Sequence, residues 1–280
     1  MKQILSFFII LFACAACRDV QQTGMETFTL SDTFSTLFVK TTGGSITVLS
    51  GNGSDAGADI IVSVEKTARG FNEKHARRLL EGITVVSRQE DGIQKIAVMV
   101  SPWVDGGASL TIANVKGKKV MLFTTDGDVY CDKAQGFSAQ TKSGSVVIQK
   151  AAGELDVEAY NGDVAVEDFS GNLFTVTTDN GDVLLKITAK TIEKGVIKTT
   201  NGKISLALPS SLACNVDLRT ENGDIDFDSI EPVSISRGDD FIHGIAILKE
   251  SFILNGGGGT ISAETNSTGR TNNDIDVDLY

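Results

Sequence analysis

The residues from Val120 to Phe227 repeat one short message six times, and that repetition limits what the chain can fold into. Aligned on Gly127, Gly144, Gly162, Gly181, Gly202 and Gly223, the copies are spaced by 17, 18, 19, 21 and 21 residues. A period near twenty is the mark of stacked units, none of which buries its apolar face alone. Two residues after each glycine stand Val129, Val146, Val164, Val183, Ile204 and Ile225; five before it stand Leu122, Ala139, Val157, Val176, Ile197 and Leu218. The columns three before and four after are also apolar or β-branched, and those between hold mostly Asp, Lys, Glu, Gln and Arg. A period of two means strands with one buried face.

The turn column selects among strand architectures. Asn161, Asn180, Asn201 and Asn222 precede Gly162, Gly181, Gly202 and Gly223 in four successive copies. Asn-Gly suits backbone at positive φ, where glycine has no Cβ to clash and asparagine bonds its own backbone. Between alternating runs it ordinarily signals a hairpin. Identical turns in register, however, let Asn side chains bond as a ladder at about 4.8 Å per layer. The favoured architecture is therefore mainly β: a parallel β-solenoid, with right-handed crossover as the default. An antiparallel sandwich is the alternative.

Read from the start, residues 1–17 are expected to be a lipoprotein signal. Lys2 precedes an apolar run from Ile4 to Ala13, too short to span a bilayer. Cys14-Ala15-Ala16-Cys17 then places small residues before a cysteine, the pattern of a cut and lipidated bacterial leader. Cys17 is the favoured lipidation site, Cys14 the alternative, and an ordinary cleaved signal the bland option. Residues 18–35 are polar and are expected to be a tether. Residues 36–280 are expected to be one solenoid domain. Leu37 to Val48 is one isolated copy of the repeat, separated from the main stack.

Residues 51–114 break the pattern. Asn72 resembles a helix start and Gly82 a stop, with Ala76, Leu79, Leu80 and Ile83 at helical spacing. Strands at Ile60–Val64, Thr84–Arg88 and Ile93–Val100, the last two joined at Asp91-Gly92, complete a small α/β insert. It is expected to cap the open first layer, because solenoid ends expose unpaired edges. Residues 119–227 are the regular repeats. In residues 228–280, Ser229–Gly244 is expected to hold a longer loop, Ala246–Leu254 a strand, and Ile275, Val277 and Leu279 a strand that closes the C-terminal end.

The net charge is −11, or −12 once Lys2 leaves with the signal. Such a chain repels nucleic acid and anionic lipid, so neither is expected as a partner. Cys131 and Cys214 lie several layers apart in the alignment, too far for a disulfide, and Cys131 stands in an aliphatic column; both are expected to be buried free thiols. No nucleophile elbow, phosphate loop or dinucleotide fingerprint occurs. His75 and His243 stand in no motif, and no zinc set can be assembled. Asp128, Asp163, Asp182 and Asp224 follow the turn glycines, but Ser145 and Lys203 interrupt the row, so turn stabilisation is favoured over calcium. No cofactor or metal is expected. Asp163 and Asp182, with Lys203 next in line, are the only carboxylate pair suggesting a glycan-cleaving site.

At Leu206-Ala207-Leu208-Pro209-Ser210-Ser211, and again at Val216 to Ile225 with its Thr220-Glu221-Asn222-Gly223-Asp224-Ile225 turn, the chain resembles the bacterial putative-adhesin family. These are domains of unknown function with recurrent Thr-x-Asn-Gly-Asp-Ile turns on a parallel β-solenoid. The resemblance spans about Phe38 to Ile261; Ser145 and Lys203 depart from the motif's Asp. It implies a solenoid and a binding surface, and transfers no catalytic residue. The expectation is an exported, membrane-anchored, non-enzymatic lipoprotein whose solenoid is a binding or scaffold surface in the cell envelope, toward a glycan or an envelope protein. A regulatory accessory protein of the envelope stress response is the alternative, and a glycan-cleaving enzyme the minor one.

Overall fold

The computed structural model describes residues 20–51, 59–221, 224–227, 235–242, 245–266 and 274–280. In chain order, β1 (Val20–Leu30) precedes β2 (Thr36–Lys40) and β3 (Ile46–Val48). Then come β4 (Ile60–Gly70), α1 (Glu73–Glu81), β5 (Ile83–Glu90), β6 (Ile93–Val100) and β7 (Gly106–Ala113). The repeats supply β8 (Lys119–Asp126), β9 (Val129–Ala134), β10 (Phe137–Ser143), β11 (Val146–Ala151), β12 (Glu154–Asn161), β13 (Val164–Phe169), β14 (Leu173–Asn180), β15 (Val183–Ile187), β16 (Lys194–Asn201) and β17 (Ile204–Leu208). The remainder forms β18 (Cys214–Glu221), β19 (Ile225–Phe227), β20 (Ile235–Ile242), β21 (Ile245–Leu254), β22 (Gly259–Thr265) and β23 (Ile275–Leu279).

Each repeat gives the strand before its glycine to a 12-stranded sheet and the strand after it to an 11-stranded sheet. Neighbouring repeats pair in parallel and in register. Ala139, Val157, Val176 and Ile197 align in the first sheet, and Val129, Val146, Val164, Val183 and Ile204 in the second. These rows are buried and meet in a single core between the sheets. The fold is thus the mainly β, parallel solenoid that the period implied.

The corners show why the repeat is so strict. A Cβ on Gly162 would lie 2.1 Å from the carbonyl oxygen of Gly144, and one on Gly181 would lie 2.2 Å from that of Gly162. The same collision recurs at Gly127, Gly144 and Gly202, so the glycines stand in a file with adjacent layers in backbone contact. The buried threonine three residues earlier uses that approach. Thr124, Thr141, Thr178 and Thr199 donate to the carbonyls of Gly44, Gly127, Gly162 and Gly181 at 3.0–3.2 Å. Buried hydroxyls are thereby satisfied. The Asn ladder is present too: Asn180 Nδ2 donates to Asn161 Oδ1 at 2.8 Å, and Asn201 Nδ2 to Asn180 Oδ1 at 2.9 Å. Asn222 and Gly223 lie outside the described residues.

Four expectations about organisation need correction. Residues 18–35 are not a tether throughout, because β1 pairs antiparallel with β4 along its whole length, from Val20↔Gly70 to Leu30↔Ile60. Nor is Leu37–Val48 isolated: β2 lies between β6 and β8, and β3 between β7 and β9. The insert does cap the end, with α1 started by Asn72, whose side chain accepts the His75 N–H, and stopped at Gly82. Yet its β6 and β7 also form a further solenoid layer. At the other end β22 sits between β16 and β18, and β23 between β17 and β19. The last strand is therefore inside the stack, not closing it. Finally, the expected loop within Ser229–Gly244 is in part β20, which forms an antiparallel hairpin with β21. Among the described residues the stack thus has nine layers, and the layers at both ends are out of chain order.

Candidate functional site

Alternation in the 12-stranded sheet sends every second side chain outward. Along β12 the exposed and buried residues alternate strictly, with Glu158 and Tyr160 outside and Val157 and Ala159 inside. Stacking in register lines up such residues from successive layers. Phe123, Gln140, Glu158 and Thr177 form one outward row, and Thr125, Lys142, Tyr160 and Asp179 the next. Between and over these rows, from β2 to β14, runs a groove of about 340 Å³.

The groove has an aromatic and a polar component. Tyr160 is 55% exposed. Phe123 packs against Phe38 with ring centroids 5.1 Å apart. Gln140 Nε2 donates to Glu158 Oε2 at 2.8 Å, which orients both groups beside Tyr160. Lys40 and Lys142 stand against Glu158 and Asp179, so formal charge cancels within the groove while the chain as a whole is at −11. An aromatic face flanked by amide, carboxylate and hydroxyl groups can stack on C–H surface and meet hydroxyls from both sides. The carrier is a continuous sheet, so the positions are fixed before a ligand arrives. The period of two marks these positions as outward without singling them out; Phe123 and Tyr160 are the aromatic residues of the two rows.

The carboxylates singled out by sequence occupy a different place. Asp163, Asp182 and Lys203 line a shallow depression of about 290 Å³ on the 11-stranded sheet. Asp163 Oδ1 accepts the Asp182 N–H and Asp182 Oδ1 accepts the Lys203 N–H, both at 2.8 Å. Asp128 does the same for the Ser145 N–H. Lys203 pairs with Asp276 of the inserted strand β23. These aspartates cross-link layers, which is the turn-stabilising role. Among the described residues no three His, Cys, Asp or Glu side chains converge as a metal site.

Cys131 and Cys214 are buried and free. They lie in opposite sheets and six layers apart, about 29 Å at the usual strand spacing, well beyond disulfide reach. Burial pushes the Cys131 thiol up to about 12 and that of Cys214 to about 11, so neither is a nucleophile near neutrality. His75 stacks on Phe71 at 4.2 Å. Cys14, Cys17 and His243 lie outside the described residues. Among those described, no helix is long and apolar enough to cross a membrane.

A family model described as Toastrack DUF4097 matches residues 84–236, more than half of the 280-residue chain. No curated protein matches the sequence. Among solved structures, the chain is similar to a putative cell adhesion protein from Clostridium sporogenes at 14% identity, covering 92% of this chain and 100% of that one, with a TM-score of 0.37. A putative adhesin from Bacteroides fragilis aligns at 12% identity over 92% and 97% of the two chains, with a TM-score of 0.46. One from Parabacteroides merdae aligns at 9% identity over 92% and 96%, with a TM-score of 0.45.

Proposed function

The chain belongs to the Toastrack DUF4097 family, and from that premise we propose that it is an exported lipoprotein, held to a bacterial envelope membrane through Cys17, whose solenoid binds a neutral glycan without turning it over. Family membership speaks to fold; the role has to be argued from the site. The observation that carries the reading is the groove on the 12-stranded sheet. Its exposed Tyr160, with Phe123 two layers away in the same groove, offers aromatic faces for stacking, and the Gln140–Glu158 pair offers a fixed donor–acceptor set. Its balanced charge suits an uncharged saccharide better than an acidic one. The layer pitch of about 4.8 Å also approaches the length of one pyranose in a chain, so successive layers can present similar groups to successive sugars.

A glycan array probed with the purified protein tests the groove. Binding to neutral oligosaccharides that weakens at least tenfold in Tyr160→Ala, with the melting temperature unchanged, supports it. Equal binding by wild type and Tyr160→Ala would sink it. Radiolabelled palmitate tests the anchor: label lost in Cys17→Ser and retained in Cys14→Ser is the expected outcome. Photocrosslinking from position 160 to an envelope protein, with no saccharide bound, would favour the regulatory alternative instead.

A further inference from the structure

At the first layer, three strands of the 11-stranded sheet share one end. Val20, where β1 begins, pairs with Gly70, where β4 stops; Ala68, two residues earlier on β4, pairs with Gly106, where β7 begins. What extends past these ends therefore gathers in one place. Phe71 follows Gly70 directly, and Trp103 lies three residues before Gly106 in the corner linking β6 to β7. That corner is held down on both sides, by the Arg69 N–H donating to the Asp105 carbonyl at 2.8 Å and by the Ser101 N–H donating to the Gly82 carbonyl at 3.4 Å. Trp103 is nevertheless 88% exposed and Phe71 64%. Two large aromatic rings standing in water on a fixed scaffold signal a contact surface. Cys17 precedes Val20 by three residues in the sequence, a span of at most about 11 Å.

We propose that this end of the first layer is the membrane-contacting face of the protein, with Trp103 and Phe71 seated in the interfacial region of the bilayer that holds the Cys17 lipid. The proposal rests on the lipoprotein reading above. A lipid fixes where the chain is held; it leaves the tilt of a rigid stack free. Trp103 removes that freedom, because its ring is buried while the indole N–H remains at headgroup level, and Phe71 adds a purely apolar ring beneath the interface. Charge agrees with the assignment. Arg69, Lys74, Arg77 and Arg78 are exposed around this end against Glu73, Glu81 and Asp105, on a chain that is otherwise strongly acidic. Anionic headgroups would thus meet the least repulsive part of the molecule. The consequence is an orientation: the first layer lies at the membrane, the stack rises away from it, and the groove, which begins one layer in on β2, faces sideways into solvent.

Trp103 is the only tryptophan in the sequence and is therefore its own reporter. The experiment is to reconstitute the full lipidated chain into phosphatidylethanolamine–phosphatidylglycerol vesicles and follow its emission. Co-flotation with vesicles, a blue shift, and quenching by lipids brominated near the headgroup are the expected results; in Phe71→Ser with Arg78→Glu, both shift and quenching should fall at least twofold while flotation persists. Flotation with Trp103 still emitting as in water, and still open to iodide, overturns the contact face and leaves the anchor intact. A wild-type chain that does not float removes the anchor, and the contact face with it.

Discussion

Gly162 and Gly117 both have positive φ, yet different physics holds them there. At Gly117, φ is +61° and nothing lies within 4 Å of an added Cβ. Alanine there should cost only the left-handed backbone penalty, about 1–2 kcal/mol. At Gly162 the same methyl would meet a carbonyl of the layer beneath at 2.1 Å, and two packed sheets resist the separation needed to relieve it. Gly162→Ala should cost more than about 3 kcal/mol, among the large single-residue effects, or prevent folding. Urea unfolding of both variants checks this; equal losses would mean that backbone angle alone selects the glycine. Cys131 supplies a pH-dependent counterpart. Its thiol is raised to about 12 in the folded chain against 9.0 for the free group, with burial as the main cause. The folded state keeps its proton where the unfolded state has lost it. The stabilisation is therefore complete below pH 9 and is lost as pH rises toward 12. Cys131→Val should have a flatter stability profile than wild type over that window, by denaturant midpoints.

In β15, Val183 is buried and Leu184 beside it is exposed, so a one-residue change of position reverses the environment of a side chain. Val183→Asp would place a carboxylate in the core among aliphatic rows, at a cost of several kcal/mol, and should abolish cooperative melting. Asp182→Ser should stay within about 1 kcal/mol of wild type, the worth of one exposed hydrogen bond. Serine already serves in that column, where Ser45 Oγ accepts the Asp128 N–H. Equal tolerance of both changes in thermal melts would show the faces to be reversed. The elements legible in sequence were those with a side-chain signature. Asn72 and Gly82 bound α1, and Asp91-Gly92, both at positive φ, turns β5 into β6. Strand β1 has no such signature. It is a sheet edge, polar along most of its length, and only the backbone pairing to β4 makes it a strand.

For the molecule as a whole, the order of layers matters more than their number. Strands β22 and β23 carry the repeat columns: Ala263 aligns with Ile197, Thr265 with Thr199, and Ile275 with Ile204. Nine residues, 266–274, separate β22 from β23 in the sequence, where two separate β14 from β15, so the period vanishes from the sequence although the layer exists. Placing that layer between the β16/β17 and β18/β19 layers ties the last residues into the stack. The amides of β23, paired on both sides, should exchange more slowly than those of β20 at the sheet edge. Hydrogen exchange with mass spectrometry reads both segments; faster exchange in β23 would count against the inserted layer.

The sequence by itself determined the parallel solenoid, its buried rows and its Asn-Gly corners. Each of these follows from residue types repeating at short range, where strand alternation and glycine geometry act directly. Only the tertiary structure decided which layer neighbours which, that Tyr160 and Phe123 line one groove, and that Phe71 and Trp103 lie at the same strand end as the start of β1. Those relations join residues distant in the chain, and they depend on main-chain pairing, which any pair of strands with matching alternation can form.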